Sequence, residues 1–281
     1  MFYSFIPCRF RGCSILLPAL LAGLCWSTQT VSAQENCRLV AGFEPELPYH
    51  FLSEQGNIIG IDADILRLTL VDLGCELAFQ VTPWKRTLVQ VKNGDLDIAI
   101  GASFKDERAK FAHYSVPYRG QPHVVFENKS QGSGASTLAE YLKSGRSLGV
   151  VLGWHYTNKI RALLDDPVYK PQIEIAPKFE LAVKMHDANR FDGFLGNPSN
   201  LAATIGKQAL YGKYRMIKAD VDILHYLFSR KSVDADLAKR FNQRLTEKIA
   251  QGFFFDVCKK YENMLISSCE FLSTIDANAG N

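Results

Sequence analysis

Residues 82–103 read TPWKRTLVQVKNGDLDIAIGAS, and the chain is best understood outward from there. Arg86 to Lys92 has the composition of a short helix, and it stops before Gly94, the residue type suited to the left-handed position past a helix end. Leu96 to Ile100 follows as a compact apolar run, which reads as a buried strand. Upstream, Glu76 to Val81 is strand-like. Before it, Asp64 to Leu73 carries Ile65, Leu66, Leu68, Leu70 and Val71 at helical spacing and halts at Gly74. Arg38 to Gly42 reads as the first buried strand, and Glu44 to Ser53, with Pro45 and Pro48, as an irregular loop. Strand and helix alternate, which argues for an α/β fold with a parallel sheet and helical crossovers.

Downstream the series repeats after an interruption. Gln121 to Phe126 looks like a strand leaving the first half, and from Asn128 to Thr137 the composition turns to Ser and Gly. A second series follows: strands at Ser147 to Val151, Ile173 to Ile175 and Phe191 to Leu195, with helices at Thr157 to Leu164 and Phe179 to Met185. The chain then returns through Ile223 to Phe228, and a long amphipathic stretch, Ala235 to Ala250, ends before Gly252. There is no tandem repeat and no low-complexity segment.

The first 33 residues read as an export signal. Arg9 and Arg11 precede an apolar run from Ser14 to Trp26, and a short polar stretch ends in Val31-Ser32-Ala33, with small side chains at Ala33 and two residues before it, as a signal-peptidase site requires. The run is shorter than the roughly 20 residues a spanning helix needs. Loss of Arg9 and Arg11 with the leader lowers the formal net charge from +3 to +1 and leaves a chain starting near Gln34. A nearly neutral chain has no field to hold nucleic acid. Of the seven cysteines, four remain: Cys37, Cys75, Cys258 and Cys269. An even number in an exported chain suggests two disulfides. Three pairings are open. The neighbouring starts of the first two strands favour Cys37 with Cys75, and Cys258 with Cys269 would then staple the tail.

Several motifs fall in a telling order: Gly60-Ile61-Asp62-Ala63-Asp64, Trp84-Lys85-Arg86, Asn93-Gly94-Asp95-Leu96-Asp97, Gly101-Ala102-Ser103, Glu107-Arg108-Ala109, Leu148-Gly149-Val150 with Gly153, and Phe191-Asp192-Gly193-Phe194. Each is weak alone. Together they resemble the polar amino-acid-type family of bacterial extracellular solute-binding proteins (family 3) across essentially the whole mature chain. The resemblance implies the type II periplasmic binding protein fold, two Rossmann-like lobes joined by two hinge strands. It divides the chain into a signal peptide at 1–33, lobe 1 at 34–122 plus 222–281, and lobe 2 at 123–221. It also implies a periplasmic monomer that closes on a small carboxylate or amino acid and delivers it to a membrane ABC permease, with no cofactor or metal and no catalysis.

The resemblance names ligand-binding candidates. Arg108 is expected to clamp a ligand carboxylate, since a guanidinium presents a planar fork of donors that matches it; pairing with Asp106 or Glu107 on the surface is the alternative. Ser103, beyond a strand end where open α/β sheets bind ligands, would add a hydroxyl. Trp84 is expected as an aromatic platform. Glu46 and Tyr49 lie on the first loop, where the family contributes an aromatic lid and polar contacts, and Glu46 replaces the usual aromatic. In the second lobe the sequence departs from the pattern. Asn197 stands where amino-acid binders carry an aspartate for the ligand's ammonium group, and Trp154-His155 follow Gly153 in place of Gly-Thr-Thr. Two other classes compete: a cyclohexadienyl dehydratase-like enzyme of the same fold, for which only Glu46 or His155 could serve as acid or base, and a ligand-sensing partner of a membrane receptor.

Overall fold

The computed structural model describes residues 37–269 and 272; the signal-peptide and cleavage-site expectations lie outside the described residues. In chain order the elements are β1 (Cys37–Phe43), β2 (Phe51–Leu52), β3 (Ile58–Ile59), α1 (Ile61–Val71), β4 (Cys75–Val81), α2 (Trp84–Asn93), β5 (Ile98–Ser103), α3 (Asp106–Ala109), β6 (Ala112–Tyr114) and β7 (Arg119–Asn128). The second half holds α4 (Leu138–Lys143), β8 (Leu148–Val151), α5 (Asn158–Leu164), β9 (Ile173–Ala176), α6 (Phe179–Asp187), β10 (Gly193–Gly196), α7 (Pro198–Ile205), α8 (Lys207–Lys213) and β11 (Tyr214–Ser229). Helices α9 (Ala235–Ala250) and α10 (Phe253–Lys259) close the chain.

Local chemistry sets the ends of these elements. Helix α2 starts after Pro83 and stops at Gly94, which sits at φ 84°, a conformation that glycine adopts without a side-chain clash. Helix α1 begins at Ile61, three residues earlier than the apolar spacing suggests. The turn into it forces Gly60 to φ 124°, where a Cβ would lie 2.4 Å from the Tyr49 carbonyl oxygen.

One sheet runs through the molecule in the order β4-β1-β5-β11-β7-β10-β8-β9. Strands β1, β4 and β5 are parallel, as are β8, β9 and β10. Between these two sets lies the long antiparallel ribbon of β7 and β11. Apolar clusters pack against the sheet faces in each lobe. The first gathers Phe43, Ile65, Ile98, Phe228, Phe241 and Leu245. The second half buries Leu148, Leu195 and Ile217 on one side of its strands and Phe126, Phe194 and Tyr214 on the other.

The ribbon carries the lobes. Strand β5 pairs with β11 from Leu224 onward, and β10 pairs with β7 from Val124 onward. Between those limits, Gly120–His123 and Asp220–Ile223 pair only with each other. With no third strand, that stretch is the thinnest part of the sheet. Strand β11 begins at Tyr214, nine residues before the apolar signal at Ile223, and its polar segment from Asp220 to Asp222 pairs with β7 alone.

Two disulfides staple the first lobe. Cys37 and Cys75 face each other across the paired starts of β1 and β4, with Cα atoms 4.5 Å apart. Cys258 in α10 bonds Cys269, at a Cα separation of 5.8 Å.

Candidate functional site

A cavity of about 730 Å³ opens where the two lobes meet the ribbon. Strand neighbours two residues apart point to one face. The register opposes Gln121 to Asp222 and His123 to Asp220, so Gln121, His123, Asp222 and Leu224 share the ribbon face that floors the cavity. The first lobe supplies Glu44, Glu46, Trp84 and Ser103 to the walls, and the second supplies Trp154, His155 and Phe179.

In the first lobe Ser103 ends β5, and its hydroxyl donates to Asp222 Oδ2 at 2.5 Å. Trp84 opens α2, where its N–H donates to Glu44 Oε2 at 2.9 Å and satisfies one of the free amides at the helix start. Arg108 lies on α3, buried. Its Nη1 donates to the Ser103 carbonyl oxygen at 2.8 Å, and its guanidinium carbon is 5.4 Å from the Trp84 ring centroid. Arg108 therefore stands behind Ser103 and Trp84 and does not itself line the cavity.

In the second lobe Trp154 stacks on Phe179, centroids 5.3 Å apart and planes 14° from parallel. His155 follows it, with Nε2 3.9 Å from Asp222 Oδ2. Burial first, then the positive charges of Lys105 and Arg108, push the His155 pKa down to about 4. Burial moves Asp222 the other way, above the usual carboxylate value. At neutral pH His155 is uncharged, so the contact is not an ion pair.

Glu46, Tyr49 and Asn197 meet where the lobes touch. Glu46 Oε1 accepts from Asn200 Nδ2 at 3.0 Å and from Gln121 Nε2 at 3.5 Å, and Glu46 lines the cavity. Tyr49 is wholly buried against the Arg119 guanidinium, 3.7 Å from its ring. Asn197 is the N-cap of α7: its Oδ1 accepts from the Ser199 N–H at 2.8 Å, and its Nδ2 donates to the Tyr49 hydroxyl at 3.5 Å. The asparagine spends its acceptor on the helix start, the usual duty of that residue type there. Neither Tyr49 nor Asn197 lines the cavity.

Beneath this contact lies a buried polar network. Arg119 pairs with Asp62 through Nε–Oδ1 at 2.6 Å and Nη2–Oδ2 at 2.8 Å, and His50 Nδ1 approaches Asp62 Oδ2 at 3.1 Å. Burial alone would raise the Asp62 pKa, but Arg119 and His50 outweigh it and hold the group below the usual range.

Sequence reasoning missed Asp222, His123 and Phe179. The first two had a signal: polar residues alternate at Gln121 and His123, and again at Asp220 and Asp222, inside strand segments, marking one strand face as polar. Among the described residues no cluster of His, Cys, Asp or Glu could hold a metal ion, and no helix is long and apolar enough to cross a membrane.

The sequence profile of bacterial extracellular solute-binding proteins, family 3, matches residues 39–264. A probable histidine-binding protein of Neisseria gonorrhoeae is 23% identical over 215 residues, covering 76% of this chain and 78% of that one. Among solved structures, a histidine kinase sensor domain similar to periplasmic binding proteins superposes with a TM-score of 0.65 at 18% identity, over 80% of this chain and 95% of the other. The ancestral amino acid-binding protein AncCDT-1, a precursor of cyclohexadienyl dehydratase, gives 0.63 at 19% identity, over 80% and 94%. At these identities the structural likeness carries the fold alone.

Proposed function

Because the chain belongs to the bacterial extracellular solute-binding proteins, family 3, we propose that it is a periplasmic receptor that captures an amino acid or small carboxylate by hinge closure and presents it to an ABC permease. The observation that carries this reading is the cavity of about 730 Å³, lined from both lobes and from the ribbon between them. Such a volume is of the size that holds small molecules. A ligand touching both walls stabilises the closed arrangement, because only that arrangement makes both sets of contacts. We assign lobe 1 to residues 34–122 plus 222–281 and lobe 2 to 123–221, a division that falls within the stretch where β7 and β11 pair only with each other. In this reading Trp84, Trp154 and Phe179 hold the ligand's apolar body. Ser103 lines the wall with its hydroxyl proton given to Asp222, and Arg108, whose fork has donors beyond the Nη1 held by the Ser103 carbonyl, supplies positive charge for a carboxylate from behind the wall. Tyr49, Glu46 and Asn197 act through the lobe contact.

Thermal unfolding of the mature protein against amino acids, dicarboxylates, small peptides and polyamines tests this. A ligand at a hundred times its Kd adds roughly 2.7 kcal/mol. The expected result is a shift with a carboxylate-bearing compound that Arg108→Ala diminishes. A shift untouched by Arg108→Ala removes the clamp, and no shift with any compound removes the receptor reading. A second reading, a dehydratase, draws on the neighbouring Asp222 and His155, a carboxyl whose pKa burial raises beside an imidazole whose pKa burial lowers to about 4, two titratable groups within reach of one another in the cleft. Turnover of prephenate or arogenate would move the assignment there.

A further inference from the structure

The cavity floor holds two polar side chains that the protein leaves incompletely engaged. His123 is buried on β7, and neither Nδ1 nor Nε2 has a hydrogen-bond partner, although the residue lines the cavity. A buried imidazole without partners is costly, and protein polar groups in that state commonly await a ligand or water. Asp222, on the same ribbon face, accepts from the Ser103 hydroxyl and the Ile223 N–H. A carboxylate has acceptor capacity beyond two bonds. Among the described residues no lysine or arginine stands at ion-pair distance from it, and the one cationic residue type that does, His155, is uncharged. The charged groups around Asp222 are Arg108 and Lys105 at α3, and Asp220 on its own strand. Arg108 gives Nη1 to the Ser103 carbonyl, and Asp220 is taken by Thr157 and Lys159.

We propose that the hinge ribbon itself forms a subsite for a protonated nitrogen of the ligand, the Asp222 carboxylate taking its charge and the unpartnered His123 imidazole accepting a further hydrogen bond. The ligand is then an ammonium- or guanidinium-bearing compound whose nitrogen reaches the floor of the cleft. Asn197, occupied as a helix cap and shut out of the cavity, does not perform this task. The subsite lies at the lobe boundary on the ribbon, with His123 at the first position of lobe 2 and Asp222 at the first returning position of lobe 1, so the ligand's cation meets the two strands about which the lobes turn.

The inference rests on the reading of the cleft as a ligand site, and the experiment separates the two. Isothermal titration is run with L-lysine, L-arginine, L-histidine and putrescine, and with glutarate and succinate as anions lacking nitrogen, on wild type, Asp222→Asn and His123→Phe. The expected result is binding of at least one nitrogen-bearing probe and not of the two diacids. That binding weakens about ten- to a hundredfold in Asp222→Asn and about tenfold in His123→Phe, with circular dichroism unchanged. Binding of a nitrogen-bearing probe with equal affinity to all three proteins overturns the subsite and leaves the receptor standing. Binding of glutarate or succinate alone does the same. Absence of binding by any probe overturns both. Should Asp222→Asn fail to fold, the His123→Phe titration decides by the same criteria.

Discussion

Asp62 and Asp222 are both withdrawn from water beside the same cleft, and the protein treats them in opposite ways. Asp62 is wholly buried, with a bidentate arginine, a histidine at 3.1 Å and a tyrosine stacked over the arginine. Burial would push its pKa up, yet the pairing keeps it ionised and its pKa low. Asp222, with a side chain 13% exposed, receives a hydroxyl and a backbone amide but no cation at ion-pair distance, and its pKa is raised. The first cluster is complete and fastens the loop of Glu46 and Tyr49 to the ribbon. The second is incomplete and faces a cavity. A buried carboxylate paired with a cation serves the fold, whereas one that holds only a hydroxyl and an amide and lines a cavity is the one our proposal gives to a ligand.

The contrast can be broken most forcefully at Arg119. Arg119→Met leaves Asp62 buried and unpaired, and urea denaturation should report a loss of about 3–5 kcal/mol. A loss under about 1 kcal/mol would mean that Asp62 is not held by that pair. The histidines at the cleft give the next effect. The His123 pKa is pushed down to about 4 by burial, from 6.5. A depressed pKa contributes stability that is present above the unfolded value and lost as pH falls from about 6.5 toward about 4. For His123 this amounts to on the order of 3 kcal/mol. Stability measured against pH should fall through that window, and His123→Phe should flatten the fall. The smallest effect sharpens the comparison. A raised carboxyl pKa favours the folded state at low pH and loses that advantage as pH rises through the folded value. Asp222→Asn should therefore stabilise the ligand-free protein at pH 7 by on the order of 1 kcal/mol, and the gain should vanish in acid. Asp62→Asn should do the reverse, destabilising the protein at pH 7, because the Asp62 pKa is depressed.

Much of the architecture was legible in the sequence because it depends on short-range patterning. The alternation of apolar runs and helical spacing from Arg38 to Ile100 corresponds to β1, α1, β4, α2 and β5, and Ala235 to Ala250 is α9 as the periodicity draws it. Helices α7 and α8 were missed: one starts at Pro198 and the other at Lys207, and a glycine at φ 85° separates them, so neither runs long enough to show a clear apolar face. The site was legible in part. Ser103, Glu46, Trp84, Trp154 and His155 line the cavity, whereas Arg108, Tyr49 and Asn197 stand behind it. The sequence motif marks where Arg108 sits on the chain but not which carbonyl its fork finds first.

By itself, then, the sequence determined the order of strands and helices, the cysteines available for bridging and the family to which the chain belongs. These follow from residue types and spacings within a few turns of chain. Only the tertiary structure decided which polar side chains reach the cleft. Ser103 meets Asp222 across 119 positions, and Asn197 turns to its own helix start. Which face of the β7–β11 ribbon looks into the cavity depends on the register of strands far apart in sequence, and a one-residue slip would turn His123 and Asp222 to the other side.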